Sequence, residues 1–169
     1  VGDAQDESVR IAIADLVLRL YAPRLDDPDA FVLRVADLLA GAHASRPTEL
    51  RAGDAEREAR VAEGREPWFL EPGLAAYMAY LDRFSGDFRG FRERLPHLER
   101  LGARIVHLMP FFPCPAGNND GGYAVSDYLG VDPRLGTVAD LVEAARELHR
   151  RGLYLAADLV LNHCSDEHP

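Results

Sequence analysis

The sequence predicts an α/β fold in which helices come first and a parallel sheet follows. Three observations support this prediction: apolar residues at helical spacing near the amino terminus, an order of helix, glycine and apolar strand that occurs twice, and a long polar loop between the two repeats. Alternation of helices with apolar strands is typical of parallel βα units. We therefore predict a helical domain over residues 1–66 and a sheet-containing domain over residues 67–169.

The amino-terminal domain is predicted to consist of helices with one apolar face. The residues at helical spacing are Val9, Ile13, Leu16, Val17 and Leu20 in a first helix, and Phe31, Val35, Leu38, Leu39 and Ala42 in a second. Such spacing places the apolar side chains on one face of each helix. The second helix is expected to start near Pro28, and a third, polar helix from about Thr48 to Ala62 is expected at the surface.

The second domain begins at residues 67–69, where an aromatic pair follows the polar helix. Its predicted elements are a buried strand over Leu74–Leu81, a helix over Phe88–Leu101, a strand over Ile105–Met109, a helix after Thr137 and a strand over Leu153–Leu161. Gly102 and Gly152 are expected to end the two helices, because glycine favours helix carboxyl termini. Thr137 and Asp140 have the spacing of a capping box at the start of the second helix.

The loop over residues 110–136 is rich in glycine, proline, asparagine and aspartate. A long loop of this kind inside a compact domain is usually functional. The sheet around it could be doubly wound or part of a TIM (β/α)8 barrel, but the turn after the first strand has no glycine-rich phosphate loop, which favours the barrel. Because a whole barrel needs roughly 250 residues, we expect the first three βα units of an incomplete barrel that breaks off after the third strand, in a chain truncated at both ends.

Composition excludes several classes of partner. The formal net charge of -9 and the lack of a basic stripe argue against nucleic acids and anionic membranes. The sequence has no run of about twenty apolar residues, the length needed to span a bilayer, and no visible signal peptide. A cytoplasmic location is therefore expected. Cys114 and Cys164 are too few for a disulfide framework and lack zinc-site spacing.

Polar residues follow two neighbouring strands of the predicted sheet. Asp120 and Tyr123 lie in the long loop, and Asp158, Asn162 and His163 end the last strand. Parallel α/β sheets build their sites at the carboxyl ends of strands. A sugar ring calls for an aromatic platform and hydrogen-bonding partners, which Tyr123 and His163 supply. Each cluster alone also fits an ordinary turn or strand end, so their combination carries the prediction of a carbohydrate site.

Six segments carry a more specific resemblance: residues 68–70, 84–90, 107–110, 120–125, 131–137 and 158–163. Together they resemble successive motifs of the α-amylase superfamily, glycoside hydrolase family 13, and their order is most similar to its amylosucrase branch. The helical domain is more loosely similar to the domain before the amylosucrase barrel. This resemblance implies a retaining enzyme that transfers glucose from sucrose to an α-glucan and needs no cofactor and no obligatory metal.

The resemblance also implies roles for five residues. Tyr123 would stack on the glucosyl ring at the cleaved bond, and His163 would hydrogen-bond a hydroxyl of the same glucose. Asp120 would close the bottom of that pocket, paired with an arginine from a later strand. Asp158 and Asn162 would support the site, whereas His107 is interpreted as a core histidine within its strand.

Retaining glucosyl transfer needs a carboxylate nucleophile and a carboxylic acid about 5 Å apart. The resemblance places both on later strands, beyond Pro169, so this chain alone is expected to be inactive. Alternatives within the superfamily are a sucrose hydrolase, a trehalose synthase or an α-glucosidase. A non-catalytic glucan-binding module is disfavoured because the last strand has no edge protection. A thiol enzyme using Cys114 or Cys164 would be excluded by activity that survives alkylation.

Overall fold

The computed structural model describes residues 2–70 and 72–169, which form two compact units with their boundary between Trp68 and Phe69. The first unit is helical, and the second contains a parallel sheet with helices between its strands. The order of elements in the second unit is the alternation that the sequence predicts. The assignment of the two predicted domains, 1–66 and 67–169, remains a prediction.

The helical unit contains α1 (Gly2–Tyr21), α2 (Pro28–Ser45) and α3 (Thr48–Ala62). Proline occupies the first position of α2, where its missing N–H costs no hydrogen bond. Asp27 accepts a hydrogen bond from the backbone N–H of Ala30 at 2.9 Å and so caps this helix. No helix among residues 2–70 and 72–169 is both long and apolar enough to cross a membrane.

The predicted apolar faces of α1 and α2 are only partly buried. Ile13 and Val17 are half-buried, and so is Val35, but Leu38 is 71% exposed. Leu16, Leu20, Phe31 and Leu39 are exposed as well. The side chain of Val9, which belongs to the predicted face, lies outside the described part of the chain. Two packed helices cover only a strip of each other, so apolar residues beside that strip stay exposed.

The second unit contains β1 (Ala75–Ala79), α4 (Leu81–Phe84), α5 (Phe88–Arg100), β2 (Ala103–Leu108), α6 (Val138–Arg150) and β3 (Tyr154–Ala157). The three strands are parallel and lie in the order β1-β2-β3, so β2 is central in the sheet that the described residues form. The register sets Met78 opposite His107 and His107 opposite Ala156. Parallel pairing brings the carboxyl ends of all three strands to one edge of the sheet.

Two strands are shorter in the structure than the sequence predicts. The first was expected to be buried over Leu74–Leu81 but pairs only over Ala75–Ala79, and Met78 is 63% exposed. The last was expected over Leu153–Leu161 but pairs only over Tyr154–Ala157. Both are edge strands among the described residues, so each pairs with β2 alone and its other edge is unpaired.

The core of this unit lies where α5 and α6 pack against the sheet. Phe91, Leu95 and Leu98 of α5 are fully buried against Val106 of β2 and Leu148 of α6. The predicted capping box of α6 is present: the Thr137 hydroxyl accepts from the Asp140 N–H, and the Asp140 carboxylate accepts from the Thr137 N–H. These contacts fix the two helices and thus the loop between β2 and α6.

The start of α5 yields a test of local packing. A Cβ atom on Gly90 would lie 2.2 Å from the carbonyl oxygen of Ser85, and Asp87 accepts the Gly90 N–H at 2.7 Å. We expect Gly90→Ala to lower the free energy of unfolding by about 1–3 kcal/mol, because backbone must move. The measurement is the shift of the urea midpoint.

Gly41→Ala in α2 is the matched control. No heavy atom of the described residues lies within 4 Å of a Cβ at this position. Alanine has a helix propensity about 1 kcal/mol better than glycine, so we expect Gly41→Ala to leave stability unchanged or to raise it. Equal effects at the two glycines would contradict the steric explanation.

Candidate active site

A tight turn presents the first part of the site. Asp120–Gly122 forms a single 3-10 turn, and the Asn119 side chain accepts a hydrogen bond from the Gly121 N–H at 3.0 Å. Asp120 has φ +48°, Gly121 φ +67° and Gly122 φ +96°, all in the left-handed region. Glycine adopts this region without penalty and aspartate tolerates it. A Cβ on Gly122 would meet the Pro110 carbonyl at 3.4 Å, an ordinary contact, so the left-handed backbone and not lack of space favours glycine here.

Tyr123, Asp158 and His107 form the central hydrogen-bonded group. The Tyr123 hydroxyl donates to Asp158 Oδ2 at 2.8 Å, and His107 Nε2 lies 2.8 Å from Asp158 Oδ1. His107 pairs with Ala156 in the sheet, so Asp158, two residues further, faces the same side. The interpretation of His107 as a core histidine is therefore wrong: its side chain is 33% exposed and it bonds a carboxylate.

The hydrogen bond to Asp158 also sets the ionisation of Tyr123. It raises the pKa of Tyr123 to about 12, with smaller contributions from burial and from the charges of Asp158 and Asp120. The bond favours the neutral phenol because only the neutral form can donate a proton to the carboxylate. Tyr123 therefore remains a neutral donor throughout the physiological pH range.

The segment after β3 carries Asn162 and His163. The His163 side chain is exposed, and its Nδ1 lies 2.9 Å from the Asn162 Oδ1. Tyr128, from the loop after β2, donates its hydroxyl to the carbonyl oxygens of Val160 and His163. The two loops are thus joined by a side chain that sequence reasoning missed. A tyrosine in a polar loop was the available signal, since a tyrosine hydroxyl that is not fully solvated requires a partner.

The structure brings the predicted site residues together in two pairs. Tyr123 contacts Asp158, and Asn162 contacts His163. Asp120 is exposed in its turn, and its predicted arginine partner was assigned to a later strand. Among the described residues, no group of three or more histidine, cysteine or acidic side chains is arranged to hold a metal ion. The expectation of no obligatory metal remains a prediction.

A cavity of about 510 Å³ lies beside the turn, between the loops that follow β1 and β2. Its lining includes Asp82, Cys114, Asp132 and Arg134. Arg134 binds the buried Asp132 through two nitrogens and lowers the pKa of that carboxyl. Burial and the charge of Asp132 raise the pKa of the Cys114 thiol, which reduces the thiolate fraction and argues against Cys114 as a nucleophile.

The family model described as alpha amylase, catalytic domain, matches residues 44–169. The chain belongs to the α-amylase family. Among curated relatives, a probable alpha-glucosidase of Rhizobium meliloti (strain 1021) is 48% identical over 121 residues, which are 68% of this chain and 21% of that protein. An oligo-1,6-glucosidase of Parageobacillus thermoglucosidasius is 45% identical over 84 residues, 50% of this chain and 15% of that protein.

Two solved structures extend this finding. A MutB variant in complex with the substrate sucrose is 34% identical and has a TM-score of 0.55, covering 61% of this chain and 19% of that one. The trehalose-6-phosphate hydrolase TreA of Bacillus licheniformis is 34% identical with a TM-score of 0.54, over 61% and 19% of the two chains. The chain spans about a fifth or less of the length of these α-amylase relatives.

These comparisons confirm the predicted fold class and superfamily. The three-stranded parallel sheet and its connecting helices agree with the start of a TIM-barrel domain of glycoside hydrolase family 13. The named relatives are glucosidases, a trehalose-6-phosphate hydrolase and trehalose or trehalulose synthases, not amylosucrases. The amylosucrase prediction is therefore supported only at the level of the superfamily.

The role of Tyr128 in joining the loops can be tested directly. Tyr128→Phe removes the hydroxyl that binds the carbonyls of Val160 and His163 but keeps the ring. We expect amide exchange in residues 159–166 to accelerate about fivefold, because one hydrogen bond is worth about 1 kcal/mol. Hydrogen exchange with mass spectrometry measures this. Tyr21→Phe on α1, where the tyrosine is exposed, should leave this segment unchanged, and equal exchange in Tyr128→Phe and the parent protein would contradict the assigned role.

Proposed function

We propose that the whole protein cleaves the α-glucosidic bond of a small glucoside with retention, and that this chain supplies one wall of the glucose subsite. The observation that carries the proposal is the Tyr123 ring, whose hydroxyl is bound to Asp158 at the end of β3. Because the hydroxyl is engaged, the ring face is the part of Tyr123 suited to substrate. A ring face is what the apolar side of a pyranose needs.

His163 and Asp120 complement this platform in the proposal. Both side chains are exposed in segments that follow neighbouring parallel strands. The His163 imidazole would hydrogen-bond one glucose hydroxyl, and the Asp120 carboxylate would accept from another. Asn162 would hold the His163 ring through their contact at 2.9 Å. Aromatic stacking with a few directed polar contacts is the usual composition of a site for a polar ring.

Asp158 is not assigned as the nucleophile. Its two oxygens accept hydrogen bonds from His107 and Tyr123, which stabilise the charge and reduce its nucleophilicity. A retaining mechanism requires two further carboxyl groups about 5 Å apart. Those groups would lie on other strands of the barrel, and Asp158 would orient Tyr123.

The relatives favour a particular class of substrate. These relatives are named for glucosidase action, trehalose synthesis and, for a trehalulose synthase, the binding of sucrose. We infer that the donor is a disaccharide or short oligosaccharide with a terminal α-glucosyl unit, which the enzyme hydrolyses or isomerises. The second candidate is amylosucrase-type transfer from sucrose to an α-glucan, favoured by the order and spacing of the motifs at residues 107–110, 120–125, 131–137 and 158–163 and by the helical segment before them.

The whole protein should be assayed on sucrose, trehalose, maltose and isomaltose, with glucose, fructose, isomers and polymer followed separately. Release of glucose or formation of an isomer supports the proposal, whereas fructose release with insoluble glucan supports the amylosucrase candidate. Glucan binding without any turnover would indicate the non-catalytic module. Loss of activity on thiol alkylation would instead favour a thiol enzyme, provided that bound substrate protects Cys114 or Cys164 from the reagent and preserves the activity.

Substitution of the assigned residues tests the site itself. We expect Tyr123→Ala and His163→Ala to lower kcat/KM at least about a hundredfold, because each removes a contact that orients the reacting sugar. Arg146→Ala is the control, since Arg146 is an exposed residue of α6 that pairs with Glu143. Full activity in both site variants would show that the site assignment is wrong.

A further inference from the structure

The imidazole of His107 has no assigned part in the proposed reaction, yet it lies within the site. Strand β2 places it on the same side of the sheet as Asp158, and its Nε2 is 2.8 Å from Asp158 Oδ1. The other carboxylate oxygen receives the Tyr123 hydroxyl at 2.8 Å. The three side chains therefore come from a central strand, the loop that follows it and the end of the neighbouring strand.

The chemistry of the group fixes the direction of both hydrogen bonds. An ionised carboxylate only accepts, so His107 Nε2 carries the proton and Tyr123 is the second donor. Hydrogen bonds to a charged acceptor are stronger and more directional than neutral ones. A carboxylate held at one oxygen alone can turn about its last side-chain bond, whereas one held at both oxygens cannot. His107 thus determines where the acceptor for Tyr123 lies.

We propose that His107 is a positioning residue that, through Asp158, fixes the orientation of the Tyr123 ring before substrate binds. The identity of the sugar on that ring rests on the proposed function, but the two hydrogen bonds do not. The raised pKa of Tyr123, for which the Asp158 bond is the main cause, agrees with this arrangement. The group is also only half-buried, so it borders the space open to a ligand.

The test uses a matched pair of variants in the whole protein. Glutamine carries its amide nitrogen as many bonds from the backbone as His107 Nε2, so His107→Gln can still donate to Asp158. Asparagine is one bond shorter, so His107→Asn stays polar but does not reach. We expect His107→Asn to lower kcat/KM about tenfold, through loss of one charge-assisted bond and misplacement of the ring. His107→Gln should restore most of it.

Coupling to Tyr123 separates positioning from general support of the fold. In a Tyr123→Phe background the ring no longer binds Asp158, so His107→Asn should change kcat/KM less than about twofold. The same tenfold loss in both backgrounds would overturn the proposal. Where His107→Asn does not fold, His107→Leu replaces it in the same cycle.

A second readout does not depend on turnover. In protein labelled with 13C at tyrosine Cζ, the Tyr123 resonance is assigned by its loss in Tyr123→Phe. We expect this resonance to shift in His107→Asn and in Asp158→Asn and to return in His107→Gln. An unchanged resonance in His107→Asn would overturn the proposal even if the enzyme is active. A shift in a protein that acts on no glucoside would support the positioning role while showing that the proposed function is wrong.

Discussion

The Asp158 carboxylate is the point on which the arrangement of the site depends. It joins β2 to the loop after β2 by accepting from His107 and from Tyr123. The parallel register brings His107 and Asp158 together, because His107 lies opposite Ala156 and Asp158 follows two residues later on the same face. A shift of one residue in that register would turn Asp158 to the other face of the sheet. The site is therefore a consequence of strand pairing as much as of side-chain chemistry.

Backbone hydrogen bonds outside the helices and strands help to hold the long loop in place. The N–H of Ser126 donates to the Pro113 carbonyl at 2.9 Å, and the N–H of Asp132 donates to the Phe111 carbonyl at 2.9 Å. Further along the chain, the Ser165 N–H donates to the Val125 carbonyl at 2.9 Å, which joins the segment after β3 to this loop. Such contacts satisfy backbone groups that helix or strand would otherwise pair. They explain how an irregular segment keeps the backbone of Tyr123 beside the residues that follow β3.

The sequence predicted features with a local cause better than those with a distant one. The capping box of Thr137 and Asp140, the glycines that end α5 and α6, and the clustering of Tyr123 with Asp158 follow from short spacing or from the geometry of parallel strands. Strand ends were missed because pairing depends on neighbours that local sequence does not encode. His107 was misinterpreted because its sequence neighbours Val106 and Leu108 are apolar, and only the register reveals that it faces a carboxylate.

In the proposed glucose subsite, a tyrosine fixed before substrate arrives would be an advantage for binding a small polar ring. Immobilising a side chain on binding costs about 0.5–1.5 kcal/mol, and a sugar offers few apolar contacts to offset it. In this chain the Tyr123 side chain is ordered on folding and not on binding, because its hydroxyl is already bound to Asp158. The same bond is the main cause of the raised pKa of Tyr123, about 12, so it favours the neutral donor form as well as holding the ring. A carboxylate engaged in this way is suited to holding a platform and poorly suited to attacking a substrate.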